Sequence, residues 1–282
     1  MITHFLITGD CHGKYDRFHN FYVPDMKDTV FKERLFPPES VAFICLGDFG
    51  INFYLDSSDK KRKRKLNKLG YTFYIIRGNH DYRPEHLPNI KMVYDFDICG
   101  NVFLEDEYQN IRYLIDGETY KLWYEAAKND FVELKTLVLG GAYSVDKELR
   151  LEGLSFAERS DPTLCAKHGW FMDEQLSEEE KNKIIDKVDG KTFDIILSHT
   201  CPLCYEPWYL FVPQVTQEKV DRSTEQFLSD IKERIKFNYW WFGHFHDDQV
   251  IEPGVRLFYK DIIPLECLIG DSFVWDSNLK KL

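Results

Sequence analysis

The chain has 282 residues, 44% of them hydrophobic and 16% aromatic, enough to fill a sizeable core in one large domain or two small ones. Its net charge of −11 argues against a general nucleic-acid coat, because binding phosphate backbones draws on an excess of Lys and Arg. No apolar stretch approaches the roughly 20 residues of a membrane span. The opening MITHFLITGD has neither a basic n-region nor a small-residue cleavage site. The seven cysteines are odd in number and irregular in spacing. The expectation is a cytoplasmic protein without disulfide staples or membrane contact.

The first half alternates strand and helix signals. HFLITG (His4–Gly9) and VAFICLG (Val41–Gly47) are short apolar runs ending at glycine. SSDKKRKRKLNKLG reads as a helix that Ser57, Ser58 or Asp59 can cap and Gly70 can end. YTFYIIRG (Tyr71–Gly78), rich in aromatic and β-branched residues, is the next strand. Such alternation implies parallel strands buried on both faces. In IRYLIDGETYKLW, Asp116-Gly117 lies between two strand-like runs and predicts a hairpin. KTLVLGGAYSVD is a strand running into a glycine turn, and a loop-rich, charged region follows from Lys147 to Phe171. SEEEKNKIIDKVDG is a helix with a capping box from Ser177 to Glu180.

FDIILSHT (Phe193–Thr200) is a strand, and Pro202, Pro207 and Pro213 mark a long loop. STEQFLSDIKERIKF is helical, with Phe227, Leu228, Ile231 and Ile235 on one face. YWWFGHFH (Tyr239–His246) is a strand, and VRLFYKDII onward looks like closing β-structure. No repeat, linker or shift in composition divides the chain, so residues 1–282 are expected to form one domain. It would carry an insert or lid around 147–190 and a loop at 201–222. Cys201 and Cys204 form a C-x-x-C without a second pair to complete a four-thiolate site, and read as ordinary loop thiols.

Metal-ligand residue types follow the apolar runs at five strand ends: Asp10 and His12; Asp48; Asn79, His80 and Asp81; His199; and His244 and His246. Ligands of open α/β sheets bind beyond the carboxyl ends of the strands, where these residues would converge. Positions i and i+2 of an extended backbone point the same way. Asp10 and His12 can thus share one metal, and His244 and His246 can aim at one site. Cys11, between the first two, should point away.

GDCHG, GDFG, GNHD, SHT and GHFH resemble, in order, the five blocks of the calcineurin-like metallophosphoesterases, and they span Gly9 to His246. The resemblance implies a four-layered αββα sandwich with a dinuclear metal site at the C-terminal ends of the strands. It also implies two sets of ligands. Asp10, His12, Asp48 and His246 would bind one metal; Asp48, Asn79, His199 and His244 would bind the other, with Asp48 bridging. Nitrogen and oxygen ligands without thiolate suit Mn²⁺, Fe or Zn²⁺. The implied activity is hydrolysis of a phosphomono- or phosphodiester by a metal-bridging hydroxide. His80 would face the substrate and stabilise the transition state or protonate the leaving group. Asp81 either orients His80 or caps a turn.

The family's serine/threonine protein phosphatases read GDYVDRG in the second block and GNHE in the third. Here Ile51 stands in place of the carboxylate that pairs with the catalytic histidine, Asn52 in place of a phosphate-binding arginine, and Asp81 in place of the glutamate. The pattern is instead compatible with the mixed bacterial and phage-like phosphoesterases. Arg77, Arg83, Arg112 and Arg150 are candidates to grip phosphate in the missing arginine's stead, Arg83 and Arg150 foremost. The basic run Lys60–Lys65 reads as a solvated helix face, or as a docking patch for nucleic-acid ends in a nuclease or nucleotide phosphodiesterase. A non-catalytic phosphate-binding module is the remaining alternative.

Overall fold

The computed structural model describes residues 2–19, 23–24, 33–34, 37–127 and 130–269. The stretch of the expected closing β-structure beyond Ile269 lies outside the described residues.

Thirteen strands of the described chain form two large sheets. The first contains β1 (His4–Thr8), β2 (Val41–Cys45), β3 (Thr72–Ile75), β4 (Ile90–Asp95), β5 (Gly100–Glu105) and β6 (Ile111–Leu114). The second contains β7 (Thr119–Ala127), β8 (Asp130–Leu139), β9 (Ile195–Ser198), β10 (Tyr239–Phe242), β11 (Gln249–Glu252) and β12 (Val255–Leu257). The late strand β13 (Ile262–Pro264) returns to the first sheet. The sheet orders are β13-β1-β2-β3-β6-β5-β4 and β11-β12-β10-β9-β8-β7. In each sheet the central strands run parallel: β1, β2, β3 and β6 in the first, and β8, β9, β10 and β12 in the second.

Alternation along these strands builds the layers. Phe5, Ile7, Ala42, Ile44 and Tyr74 point to one face of the first sheet and pack with Val138, Ile195, Leu197 and Trp241 of the second. The intervening residues Leu6, Phe43 and Phe73 point to the opposite face, where Leu66 of helix α1 (Ser57–Asn67) covers them. On the outer face of the second sheet, Ile196, Trp240 and Phe242 pack with Ile184 and Val188 of α2 (Glu178–Val188) and with Phe227, Leu228 and Ile231 of α3 (Ser223–Arg234). The order is helix, sheet, sheet, helix. Strands apolar on both faces are what parallel sheets buried on both sides require.

Two local expectations are corrected. Asp116-Gly117 turns the chain but does not close a hairpin, because β6 and β7 belong to different sheets. The turn is closed by Glu118 N–H to Ile115 O (3.1 Å), and β7 pairs antiparallel with β8. Tyr120, at the start of β7, lies between the sheets and donates its hydroxyl to Asn101 O of β5 (2.7 Å). The cap of α1 is Asp56, which accepts from Ser58 N (2.7 Å). Asp59 instead accepts from Tyr54 and Leu55 N–H, both at 2.8 Å. At α2 the capping box between Ser177 and Glu180 is present.

Trp241 is 1% exposed within the layer between the sheets. Trp241→Ala should lower stability by about 3–5 kcal/mol, the range for emptying a large aromatic site. The check is a lower urea midpoint with an unchanged slope.

Candidate metal centre

Because β1, β2 and β3 are parallel neighbours in one sheet and β9 and β10 in the other, their carboxyl ends open on one side of the sandwich. The two sheets are stitched together there. His199, after β9, bonds through Nδ1 to Leu46 O after β2 (2.7 Å), while within the first sheet His12 N–H reaches Asp48 O (2.8 Å). Glycine at these ends is a consequence of crowding. A Cβ on Gly78 would lie 2.0 Å from Asp48 Oδ1, and one on Gly243 would lie 2.4 Å from Asp10 Oδ1.

The backbone that aims the ligands is not the extended one expected from i, i+2 spacing. His12 (φ 45°), Asp48 (φ 49°), His244 (φ 71°) and His246 (φ 55°) are left-handed. Such conformations cost of order 1–3 kcal/mol each and gather at functional sites. Cys11 is buried away from the cluster, its thiol 3.9 Å from that of Cys45 and in contact with Arg17.

Two groups of ligand atoms result, each with all its atoms within 4.8 Å of one another: Asp10, His12 and His246, and Asp10, Asp48 and His199. His246 Nε2 is 3.2 Å from Asp10 Oδ2. Asp48 reaches both ways, with Oδ2 3.8 Å from His12 Nε2 and Oδ1 3.6 Å from His199 Nε2. Asn79 Oδ1 is 2.9 Å from His199 Nε2. His244 belongs to neither group; its ring packs on that of His199 at 5.0 Å, and its N–H donates to Asp10 Oδ1 (3.1 Å).

The donors fit a cation. The carbonyl of Leu46 can only accept, so His199 Nδ1 carries a proton and Nε2 is the nitrogen left to offer a lone pair to a metal. That lone pair faces Asn79 Oδ1, also an acceptor. The Asn79 amide cannot turn round, since its Nδ2 donates to Ser144 Oγ (2.9 Å), while Ser144 Oγ donates to Glu174 Oε2 (2.5 Å). His12 Nε2 and His246 Nε2 likewise face each other at 2.8 Å. Asp10 Oδ2 is buried without a hydrogen-bond partner. Acceptor oxygens and imidazoles converging in this way call for positive charge, a proton or a metal ion.

The titration behaviour agrees. Burial alone would raise the Asp10 and Asp48 carboxyls. At Asp10 the neighbouring imidazoles of His12 and His246 outweigh it, and at Asp48 those of His199 and His80 do so; both are lowered. Burial would lower His12, but the carboxylates of Asp10 and Asp48 beside it raise it to about 9. His244 falls to about 3 through burial and the neighbouring His199.

The remaining candidates separate. The His80 ring sits at the cavity beside the metal groups with Nδ1 buried and unpartnered, while the residue's backbone N–H donates to Asp48 Oδ1 (2.8 Å). Asp81 does not orient it. Its carboxylate accepts Gly78 N–H (3.0 Å), Gly50 N–H (3.2 Å) and Phe49 N–H (3.4 Å), tying the loops after β2 and β3 together. Of the two readings left open for Asp81, the cap is the one seen. Arg83 is corrected as a phosphate ligand: its buried guanidinium is engaged by Glu180 (2.7 Å) and the carbonyls of Asp173 (3.0 Å) and Gln175 (3.1 Å). Arg77 is held by Asp116 and Glu174 O, and Arg112 by Asp95 and Tyr74. Arg150 is different. It pairs with Asp146 (2.7 Å), lies over Phe53 whose ring neighbours His80 at 6.0 Å, and keeps Nε buried without a partner. The basic run divides. Lys63 is buried against Glu105 and Arg62 bonds Gly50 O, while Lys60, Lys61 and Lys65 are exposed.

Ser144 and Glu174 were not anticipated. Ser144 follows β8 and its glycine turn, so it carries the same strand-end signal as the ligands, but a serine there raises no expectation of chemistry. Nothing in the sequence around Glu174 sets it apart.

Paired acidic and imidazole groups at the ends of parallel strands in two packed sheets are positioned to hold metal ions. The chain belongs to the calcineurin-like phosphoesterases, whose family it matches over residues 3–248. Membership implies metal-dependent phosphoester hydrolysis, typically at a dinuclear centre. A search of curated proteins returned no match. No helix among the described residues is long and apolar enough to cross a membrane.

Two predictions follow from this geometry. A metal binding at Asp10, His12 and His246 must displace the His12 proton, which is held up to about pH 9. Apparent affinity should therefore rise with pH towards about 9 and flatten above, with proton release detectable by calorimetry in buffers of different ionisation enthalpy. Ser144→Ala should free the Asn79 amide to turn and weaken metal binding by about 10–100-fold, as for other outer-shell partners. Mass spectrometry of metal content at limiting metal is the check.

Proposed function

We propose that the protein is a dinuclear-metal phosphohydrolase. Asp10, His12, Asp48 and His246 would hold one ion, and Asp48, Asn79, His199 and His244 the other. The observation that carries the reading is Asp48, buried between the two halves of the site with one oxygen towards His12 and the other towards His199. The ions would supply Lewis acidity towards the phosphoryl oxygens and an activated water as nucleophile. The thiolate-free ligand set favours Mn²⁺, Fe or Zn²⁺.

The chain's own residues supply the rest. His80, whose pKa is lowered by burial, presents a neutral ring that can donate an N–H to the leaving oxygen or to the phosphoryl group. Arg150 keeps its place as the candidate phosphate ligand, its guanidinium lying over Phe53, whose ring neighbours His80. The protein-phosphatase solution has no support here. Ile51 and Asn52 are buried, 1% and 2% exposed, and Asn52 O accepts from Tyr82 N–H (3.0 Å).

With Mn²⁺ bound, the protein should cleave p-nitrophenyl phosphate or its bis-ester. His80→Ala should lose about 10²–10⁴-fold in rate while retaining both metals. Absence of turnover on every generic mono- and diester with both metals bound would overturn the proposal.

A further inference from the structure

A metal-binding histidine ordinarily donates its second ring N–H to a fixed acceptor, which sets the tautomer and the direction of the ring. His199 does so through Leu46 O. His246 does not. The hydrogen bonds of the described residues give its Nδ1 no partner, its side chain is 49% exposed, and its backbone is left-handed (φ 55°). A ring so placed keeps one direction only when its surroundings over-determine it. What holds it is another ring. Tyr259 stacks on His246 with centroids 4.9 Å apart and 22° between the planes, inside the roughly 4.5–7 Å range of favourable aromatic pairs.

Tyr259 is itself fixed from two sides. After β12 the chain passes directly against the turn that follows β1: a Cβ on Gly9 would lie 2.1 Å from Phe258 O. Arg17, in the single helical turn Asp16–Phe18, spans this junction. Its Nη1 donates to Tyr259 O (2.6 Å), and its Nη2 donates to Gly9 O (2.9 Å) and Asp10 O (2.7 Å). Among the described residues, every oxygen that Arg17 bonds is a backbone carbonyl. Its planar fork thus joins two stretches of main chain in one fixed geometry. From the other side comes Asp248, two residues beyond His246. Its carboxylate accepts the N–H groups of Tyr259 (2.7 Å), Lys260 (2.9 Å) and Asp261 (3.0 Å).

The Arg17 fork therefore links the backbone of one ligand, Asp10, to the residue whose ring lies on another, His246. The outer partners of His199 and Asn79, Leu46 O and Ser144, belong to other segments. We propose that Tyr259 is a positioning residue for the ion assigned to Asp10, His12, Asp48 and His246: its ring sets the direction of His246, and Arg17 and Asp248 set the place of Tyr259. The proposal rests on the dinuclear reading of the site, and its readout is metal binding rather than hydrolysis.

The test titrates Mn²⁺ calorimetrically into the metal-free full chain, unaltered and as Tyr259→Ala, Tyr259→Phe and Arg17→Gln, with the urea midpoint of each measured alongside. The unaltered protein should take up two ions. Tyr259→Ala should bind one ion as before and the other about 10–100-fold more weakly, the range for outer partners of metal ligands. At intermediate Mn²⁺ its electron paramagnetic resonance spectrum should then be that of a single ion rather than a coupled pair. Tyr259→Phe keeps the ring without the hydroxyl and should retain both affinities. Arg17→Gln should weaken the same ion as Tyr259→Ala. Should Tyr259→Ala fail to fold, Tyr259→Leu, which keeps apolar bulk without an aromatic face, takes its place. Equal weakening of both ions, or a lowered urea midpoint with both affinities unchanged, would overturn the proposal; so would loss of an ion in Tyr259→Phe. Both affinities unchanged in Arg17→Gln would overturn the part given to Arg17. An unaltered protein that binds no Mn²⁺ would overturn the dinuclear reading and this proposal with it. Two bound ions without turnover of any ester would overturn the phosphohydrolase reading alone.

Discussion

Two carboxylates buried side by side organise this molecule. Asp10 and Asp48 are each 2% exposed and lie where the carboxyl ends of two sheets meet. Placing two anions in a low-dielectric interior is costly unless positive charge accompanies them. Every nearby feature answers that demand. Histidines converge from both sheets, and four ligand positions adopt left-handed backbone to aim at the same point. Gly78 and Gly243 remain side-chain-free because the carboxylate oxygens of Asp48 and Asp10 occupy the space a Cβ would take.

The surrounding shell turns this charge cluster into an ordered set of ligands. Leu46 O sets the tautomer of His199, and the chain from Glu174 through Ser144 to Asn79 sets which face of an amide is presented. Asp81 clamps the loops carrying Asp48 and His80 by accepting their backbone amides. Burial and the charge of Asp48 raise its carboxyl to about 6. The position assigned to orienting the histidine is thus occupied by a residue that orients backbone.

The strand-end residues were legible because their signal is local: an apolar run, a turn, then ligand types, repeated along the chain. The layers were legible for a similar reason, since alternate residues of β1, β2 and β3 are apolar on both faces. What misled was equally local. Asp116-Gly117 signals a turn, but a turn says nothing about whether the strands on either side pair with each other. Arg83 stands three residues beyond His80, yet the chain bends after Asp81 and Glu180 captures its guanidinium. Proximity in sequence is a poor guide to side-chain direction once the backbone leaves a regular element.

By itself the sequence determined the kind of protein this is, because ligand chemistry and strand periodicity are properties of residue type and spacing. It determined that Asp10, His12, Asp48, Asn79, His199, His244 and His246 belong near one another. Only the tertiary structure decided how they meet: which oxygen of Asp48 faces which imidazole, that His244 packs on His199, and that Asn79 is aimed through Ser144 and Glu174. Only the tertiary structure set Arg150 near His80 and turned Arg83 away, and only it brought Leu210, Phe211 and Val215 into one cavity with His80 and His244. Those outcomes depend on contacts between segments tens to hundreds of residues apart, whose strength comes from burial and from hydrogen bonds that exist only once the two sheets have closed on each other.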